Sequence, residues 1–414
     1  MDRLTQEFLS KERWEREIDI ALAKGIDKKL LKKLVDPEFR AKICWKVIKG
    51  EYRILPPRMQ LIPKDDGAFR VVYINEDLDR IILSLINNIL FDLCPDWISK
   101  YCTSYQKGIG TGKVVIGVSN WMTETKDNIK GCKTDLSKYF DTVPIKEIDK
   151  VTAKLQRRFG NSPIINLLEV YYHQDLCFDL EGKLIEHYQS LKQGCATASF
   201  FADVLLYDVD EEMAKIGNYV RYSDDMLFIH PKWKKAKKYL KKALKKKGLT
   251  LNPKKVEYVT KDKWIKFLGF SIKGSMISLS KRRIKKFAKD IRRIVRQAHT
   301  YESAINAVNK YLYKGYGKEG YCWATSVLSI INSDRDIDEL NKWVMDCLRA
   351  KKTGHWQIGG IGYEHHEDGV VTRAKGRHVT TNRKKVPYID GYKSLRCMRN
   401  ALIIDKAVFD ALIA

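Results

Sequence analysis

The stretch Tyr219-Val220-Arg221-Tyr222-Ser223-Asp224-Asp225-Met226-Leu227-Phe228-Ile229-His230 constrains the fold more than any other part of the chain. Two largely apolar runs of strand length flank a short polar turn, so the pattern predicts a hairpin, Tyr219–Tyr222 and Met226–His230, with adjacent acids at its tip. Acids at turns ordinarily serve as turn formers and solubilisers. Asp135 and Asp141, in Thr134-Asp135-Leu136-Ser137-Lys138-Tyr139-Phe140-Asp141, give the pair a second meaning, because Asp135 lies at the end of an apolar strand, Cys132–Leu136. Two such strand ends side by side would place Asp135 and Asp224 near each other.

The surrounding elements alternate in type. Helices are predicted through Ile145–Arg158, Ile164–His173 and about Ala198–Ala214, with a strand pair around Leu176–Asp179 and Glu186–Gln189. This interleaving argues for an α+β sheet packed by helices on one face. The first sixty residues read as helical, with Phe8, Trp14 and Ile18 or Leu22 near helical spacing and a second series Leu30, Leu31, Leu34, Val35. From Leu61 the character changes to a hairpin, Leu61-Ile62-Pro63, a turn Lys64-Asp65-Asp66-Gly67 and Phe69–Ile74, followed by a helix Leu78–Leu93. Gly108-Ile109-Gly110-Thr111-Gly112-Lys113 reads as a glycine-rich turn into a helix Val114–Met122. It is not a P-loop, since three residues separate Gly108 from Gly112 and Val114 follows the lysine. A lysine-rich helix Trp233–Lys247 carries Trp233, Ala236, Leu240, Ala243 and Leu244 on one face and ends at Gly248. Basic helices Ser280–Ala298 and Tyr301–Leu312 run to the Gly315/Gly317 break, and another helix covers Ile337–Ala350.

The length of 414 residues allows two or three packed units, and 44% hydrophobic content is enough for sizeable cores. A formal charge of +26 would concentrate a polyanion and release its counterions, which makes nucleic acid the leading partner class without separating DNA from RNA. Met1–Asp19 is charged throughout and offers no secretory segment; the most apolar stretch, Ile81–Leu93, is interrupted by Ser84, Asn87, Asn88 and Asp92 and cannot span a bilayer. Nine scattered cysteines without a C-x-x-C pair indicate cytosolic usage, neither a disulfide framework nor a zinc signature. Paired hard carboxylates in so basic a chain point to magnesium, which prefers oxygen ligands and substrate phosphates. Two ions about 3.5–4 Å apart would activate a 3′-hydroxyl and stabilise a leaving pyrophosphate.

Asp135-x-x-x-x-Phe140-Asp141, then Gln193-Gly194, then Tyr222-x-Asp224-Asp225, in that order, resemble motifs A, B and C of reverse transcriptases. Leu61–Arg70 resembles the fingers segment of the group II intron-like branch, Gly248–Lys255 resembles motif D, and Phe267-Leu268-Gly269-Phe270 resembles the primer grip. The likeness covers about residues 60–275 as fingers and palm. It implies an α+β right-hand polymerase: an N-terminal helical extension 1–60, fingers 61–130, palm 131–275 with part of the fingers interleaved, thumb 276–350, and a basic RNA-contacting appendage 351–414.

The resemblance also implies roles. Asp135, Asp224, Asp225 and Lys255 form the catalytic set, with Lys254 the adjacent contender for protonating pyrophosphate. Asp135, Leu136, Asp224 and Asp225 are the metal positions, for two Mg²⁺ with Mn²⁺ as a substitute. Lys64 and Arg70 clamp the triphosphate, Phe140 is a steric gate under the sugar, and Gln193, Gly194 and Tyr222 complete the dNTP pocket. Motif B departs from the commoner Q-G-x-x-x-S-P pattern, because Ala198-Ser199 replaces Ser-Pro after Gln193-Gly194-Cys195-Ala196-Thr197. Losing that proline removes a favoured first-turn residue and leaves Thr197 or Ser199 to cap the helix.

Among subfamilies, only about sixty residues follow Ala350, too few for maturase and endonuclease segments; Gln193 is kept, unlike most diversity-generating retroelement enzymes; and Ile272-Lys273-Gly274-Ser275 replaces the Val-Thr-Gly usual in retrons. The chain is most similar to the compact bacterial enzymes of the unknown-group or defence-associated class, cytoplasmic antiphage systems that copy an associated structured noncoding RNA into cDNA. The implied partners are that RNA, the cDNA product and dNTPs, with no membrane and with homo-oligomerisation open. In the tail, His355, His365, His366, His378 and Cys397 match no zinc spacing, whereas Trp356, Tyr363, Arg373, Lys375, Arg377, Arg383, Lys384 and Lys385 suit stacking and phosphate contacts with RNA. Rival readings are an untemplated DNA polymerase of the abortive-infection type, a retron or diversity-generating retroelement reverse transcriptase, and an RNA-binding scaffold with a vestigial centre.

Overall fold

A computed structural model describes residues 1–64, 67–106, 108–125, 129–314, 322–374 and 388–413. They form two compact units, Met1–Lys107 with Lys130–Tyr258, and Gly108–Ile129 with Val259–Ala414.

Four short helices open the first unit, Arg3–Leu9, Lys11–Ala23, Lys28–Val35 and Pro37–Ile48. Each starts where Asp2, Ser10, Asp27 or Asp36 accepts a backbone N–H of its first turn. Ser10 therefore divides what the apolar spacing presents as one run: Phe8 is buried from one helix, Trp14 and Ile18 from the next, and Leu22 faces solvent. The Trp14 indole N–H donates to the Phe8 carbonyl at 2.8 Å across that break. The helix Asp77–Leu93 supplies the centre of the core, burying Ile81, Ile82, Leu83, Leu85, Ile86, Ile89 and Leu90. Each such side chain contributes roughly 1.5–3 kcal/mol on leaving water. From the same helix, Asp79 accepts the Tyr52 hydroxyl at 2.6 Å and the Leu55 N–H at 2.9 Å, tying down the segment that leads into the first strand.

Two four-stranded sheets carry the functional side chains. One has the order Phe69–Ile74, Arg58–Pro63, Leu176–Phe178, Leu184–Glu186; its single parallel junction sets Arg58 opposite Phe178. The other has the order Asn218–Tyr222, Asp225–Ile229, Lys130–Asp135, Glu257–Thr260. The lysine-rich helix Trp233–Lys246 packs on this second sheet through buried Ala236, Leu240 and Leu244, as its 3–4 residue periodicity requires. The helix expected over Ala198–Ala214 is two helices, Ala198–Val204 and Tyr207–Ile216. Between them Leu206 leaves helical geometry, with φ −109° and ψ 12°, while Leu205 and Leu206 both stay buried.

In the second unit the helix Thr111–Thr125 packs on a three-stranded antiparallel sheet, Ile265–Phe267, Phe270–Lys273 and Met276–Leu279, where the Ser119 hydroxyl donates to the Gly274 carbonyl at 3.0 Å. Leu268 and Gly269 form a two-residue hairpin loop with φ of +49° and +82°, the pairing of signs that matches strand twist. A Cβ on Gly269 would lie 2.5 Å from the Arg283 side chain, whose guanidinium sits 4.1 Å from the centre of the Phe270 ring. Helices Lys281–Gln297, Tyr301–Asn309 and Asp334–Thr353 follow, the second ending three residues earlier than expected in a π-helical turn, Lys310–Lys314. Gly315 and Gly317 lie outside the described residues.

Part of the tail is built into this unit. Strands Gly360–Tyr363 and Val371–Ala374 pair, and fully buried Asp336 of the long helix accepts the Ser278 hydroxyl together with the backbone N–H groups of Val370, at 2.9 and 3.0 Å, and Val371, at 2.8 Å. Arg373 ion-pairs with Asp346 at 2.5 Å and lies over the Trp343 ring. That residue is thus engaged within the fold. The helices Leu395–Ile404 and Lys406–Ile413 close the chain. All nine cysteines are free thiols, eight of them buried. Among the described residues no helix is long and apolar enough to cross a membrane.

Candidate active site

The second sheet of the first unit brings the predicted acids together. Lys130–Asp135 and Asp225–Ile229 pair antiparallel with Asp135 directly opposite Asp225, and the Leu136 N–H donates to the Asp224 carbonyl at 3.2 Å. Tyr222 pairs with Asp225, so the turn is the two-residue loop Ser223-Asp224, one residue shorter than expected, and Asp225 already belongs to the returning strand. Leu136 itself is buried and pairs with Leu251, leaving only main-chain atoms to face the acids.

Ser223 adopts φ +57°, a conformation that costs a non-glycine residue about 1–2 kcal/mol. Its surroundings enforce it: the Ser223 N–H donates to the Ser104 hydroxyl at 3.0 Å and its carbonyl accepts from Arg221 at 3.1 Å. Arg221 is completely buried. It donates to Asp210 through Nε at 2.8 Å and Nη2 at 2.6 Å, and to the Asp203 carbonyl at 2.9 Å. Asp203 in turn accepts the Ser104 hydroxyl at 2.7 Å, and Asp210 accepts the Tyr219 hydroxyl at 2.9 Å. Burial opposes the Arg221 charge, but the two aspartates outweigh it and hold the guanidinium's pKa well above its ordinary value. This network under the turn was not read from the sequence; its one visible mark is a lone arginine inside an apolar strand.

The acids repel one another. Burial, then Asp135 and Asp225, push the Asp224 carboxyl up to about 6, and burial likewise raises Asp225 despite Lys133, whose ammonium lies 3.8 Å from it. Lys255 answers this charge, its ammonium donating to Asp135 at 2.7 Å. Burial works against that ammonium, yet the hydrogen bond and the three carboxylates together raise its pKa. Asn252 explains why Lys255 rather than Lys254 arrives there: its N–H donates to the Asp135 carbonyl at 2.8 Å, and its side chain accepts from the Lys254 N–H at 3.1 Å, starting the short helix Pro253–Lys255.

Among the described residues no three His, Cys, Asp or Glu side chains converge into a ready-made metal site. The donor chemistry nonetheless fits a hard divalent cation, since the cluster is all oxygen and its mutual repulsion, now balanced by a lysine ammonium, is the kind a cation relieves.

Phe140 follows Tyr139 in the short helix Tyr139–Thr142. The Tyr139 hydroxyl donates to the Ala202 carbonyl at 2.8 Å inside the core, and the Phe140 carbonyl accepts from Ser190 at 2.8 Å, so the Phe140 backbone is fixed while its ring stays partly exposed. Motif B is bonded to the first sheet: the Tyr73 N–H donates to the Gln193 carbonyl at 2.7 Å. Gly194 has φ +112°, and a Cβ there would stand 2.7 Å from the Tyr73 carbonyl oxygen. Glycine is required on both counts. Just before it, Lys192 is fully buried, its ammonium donating to the Gln174 carbonyl at 2.9 Å. Thr197 and Ser199 do not cap the following helix, contrary to expectation. The Thr197 hydroxyl is engaged by Tyr172 at 2.9 Å, and Ser199 donates to Asn87 and the Ala196 carbonyl.

Lys64 and Arg70 lie exposed on the Arg58–Pro63/Phe69–Ile74 hairpin, closed by the Lys64 N–H to the Ala68 carbonyl at 2.7 Å; Asp65 and Asp66 lie outside the described residues. The same hairpin holds Tyr73, whose hydroxyl meets His187 at 2.6 Å and Tyr188 at 3.5 Å. Burial raises the Asp141 carboxyl, while Tyr188, His187, Lys138 and Arg70 pull it down. Asp141 therefore belongs to this polar wall, not to the Asp135 cluster. Tyr222 is half-buried beside the Tyr105 ring.

This arrangement, an acid-tipped hairpin registered against an acid-ended strand, has a family counterpart. A family model described as reverse transcriptase (RNA-dependent DNA polymerase) matches residues 62–272, half of the chain. The chain belongs to the reverse transcriptase family, and its fold is of the α+β right-hand polymerase class. A curated relative, the putative COX1/OXI3 intron 1 protein of Saccharomyces cerevisiae, is 22% identical over 66% of this chain; the match spans only 39% of that protein's length. Among solved structures, telomerase from Candida albicans in complex with a TWJ fragment of telomeric RNA aligns at TM-score 0.46 and 14% identity over 77% of this chain and 59% of that one. Apo telomerase from Candida tropicalis aligns at TM-score 0.44 and 14% identity, over 74% and 58%.

Proposed function

We propose that this chain is an RNA-directed DNA polymerase that copies an associated structured noncoding RNA into cDNA, in the compact bacterial lineage that serves antiphage defence in the cytoplasm. The observation that carries the polymerase reading is the register of Asp135 against Asp225, with Asp224 bonded across to Leu136. In this reading Asp135, Asp224 and Asp225, beside the main chain of Leu136, hold Mg²⁺, with Mn²⁺ as a substitute. When bound, the metal supplies Lewis-acid activation of the 3′-hydroxyl and neutralises charge on the leaving pyrophosphate.

The chain's own groups do the rest. Lys64 and Arg70 bind the triphosphate of the incoming dNTP; Phe140 lies under its sugar and excludes a 2′-hydroxyl; Gln193, Gly194 and Tyr222 line the pocket; Lys255 holds a proton for the pyrophosphate. The domain reading is a helical extension over 1–60, fingers over 61–130, palm over 131–275, thumb over 276–350 and an RNA-contacting tail over 351–414. Trp356 and Tyr363 remain the described tail candidates for stacking; Lys375, Arg377, Arg383, Lys384 and Lys385 lie outside the described residues.

The test is to purify the protein with its bound nucleic acid, supply dNTPs and Mg²⁺, and sequence the product beside an Asp224→Ala/Asp225→Ala control. DNA complementary to a co-purifying RNA, absent from the control, is the expected result. Product unrelated to any template sequence would replace this reading with an untemplated polymerase, and bound RNA without product would replace it with a scaffold.

A further inference from the structure

The second unit contains a cavity of about 1130 Å³ that the polymerase reading does not use. Its walls are aromatic and cationic: Trp323 lies against Phe287, ring centres 4.8 Å apart and tilted 37°, with Lys113, Lys286 and Lys406 around the same space. Phe287 is core, so it fixes one face of the half-buried indole in place while Trp323 still lines the opening. A π-helical turn, Ala324–Leu328, forms the wall beyond Trp323, and such turns are concentrated at functional sites.

The glycine-rich turn finds its place here. Gly110, Thr111, Gly112 and Lys113 line the cavity at the start of the helix Thr111–Thr125. A Cβ on Gly112 would stand 2.2 Å from Ile330 Cδ1, so any larger residue there would have to push the end of the Ile330 side chain aside. Its N–H groups add to the positive lining.

We propose that this cavity binds a short run of unpaired nucleotides, a base stacking on Trp323 and the flanking phosphates held by Lys113, Lys286 and Lys406. A ring wall joined to cations matches the two things a single strand offers, exposed base faces and a phosphate chain. A duplex hides its base faces, leaving the aromatic wall without a partner. The source of the nucleotides, template RNA or its DNA copy, rests on the proposed polymerase activity; the stacking and phosphate chemistry does not.

The experiment uses the full chain and fluorescent oligo(rU) about ten nucleotides long, competed with oligo(dT) and with an annealed duplex. Trp323→Ala and the double variant Lys286→Glu/Lys406→Glu are each expected to weaken oligo(rU) binding by about tenfold or more. The Lys286 side chain is 74% exposed and its ammonium lies 3.4 Å from Asp290, so the charge reversal removes that one ion pair while leaving the core intact. Competition by oligo(dT) as strong as by oligo(rU) would assign the DNA copy as well as the template to the site; weaker competition would assign the template. Unchanged affinity in both variants, or a loss of duplex affinity in Trp323→Ala equal to the loss of oligo(rU) affinity, would overturn the proposal. Trp323-dependent binding in a wild-type protein that extends no template would leave this site standing and sink the polymerase reading alone.

Discussion

The Arg221 guanidinium lies 2.6 Å from the Asp210 carboxylate with neither side chain exposed to solvent, and the same guanidinium holds the Ser223 carbonyl one residue before Asp224. A buried arginine is thus the link between the core and the acid-bearing turn. Arg221→Met strands Asp210 and Asp203 without a counter-charge, and stability is expected to fall by about 3–5 kcal/mol in denaturant unfolding. Arg221→Lys keeps the charge but loses the planar fork. At a temperature where that variant stays folded, nucleotide incorporation should show a lower kcat with dNTP KM little changed; equal activity would remove Arg221 from any positioning role.

Gly194→Ala places a methyl group against the Tyr73 carbonyl oxygen in a backbone conformation that L side chains rarely adopt. The strain is roughly 1–3 kcal/mol, and it falls on the joint between motif B and the Lys64/Arg70 hairpin. The expected outcome is a raised dNTP KM with RNA affinity retained, read by primer extension and filter binding.

The two neighbouring lysines of motif D separate cleanly. Lys255 reaches Asp135 and Lys254 contributes its backbone N–H to the Asn252 cap. Lys255→Ala should lower kcat by about a hundredfold, within the range for general acid catalysis, whereas Lys254→Ala should remain within a few-fold of wild type. The reverse order in single-turnover assays would reassign the proton donor.

Asp203 carries a pH signature. Burial pushes its carboxyl up to about 6, against the pull of Arg221, compared with about 3.9 in an unfolded chain. The folded state then binds the proton more tightly, so this group's contribution to stability falls as pH rises through about 4 to 6 and is level above that window. Asp203→Asn removes the titration. The wild-type Tm minus the variant Tm should therefore decrease between about pH 4 and pH 7, and a flat difference would show that Asp203 titrates normally.

What the sequence made legible was local or periodic. The acid-tipped hairpin, the strand ending at Asp135 and the amphipathic Trp233–Lys246 helix follow from alternation and 3–4 residue spacing, and all three are present. Helix breaks at Ser10 and at Leu205-Leu206 are hidden because the apolar pattern runs through both, and only the first is marked by a side-chain cap. The Arg221 network depends on Asp210 and Asp203, 11 and 18 residues from the arginine, and on Ser104, 119 residues from Ser223. No local rule reads such contacts. Thr197 shows the opposite failure: its residue type suits a cap, but a buried tyrosine had the stronger claim on its hydroxyl.

Asp336 has a consequence for how the C-terminal region can change. Its carboxylate is satisfied by the backbone of Val370 and Val371 and by the hydroxyl of Ser278. Cutting the chain at Lys351 would strip that carboxylate of its main-chain donors and uncover the core beneath it, at a cost of several kcal/mol. The last sixty residues are therefore not a detachable cassette. A shortened descendant would first need a neutral residue at position 336, and a truncated protein that no longer bound RNA would report collapse of its scaffold before it reported anything about recognition.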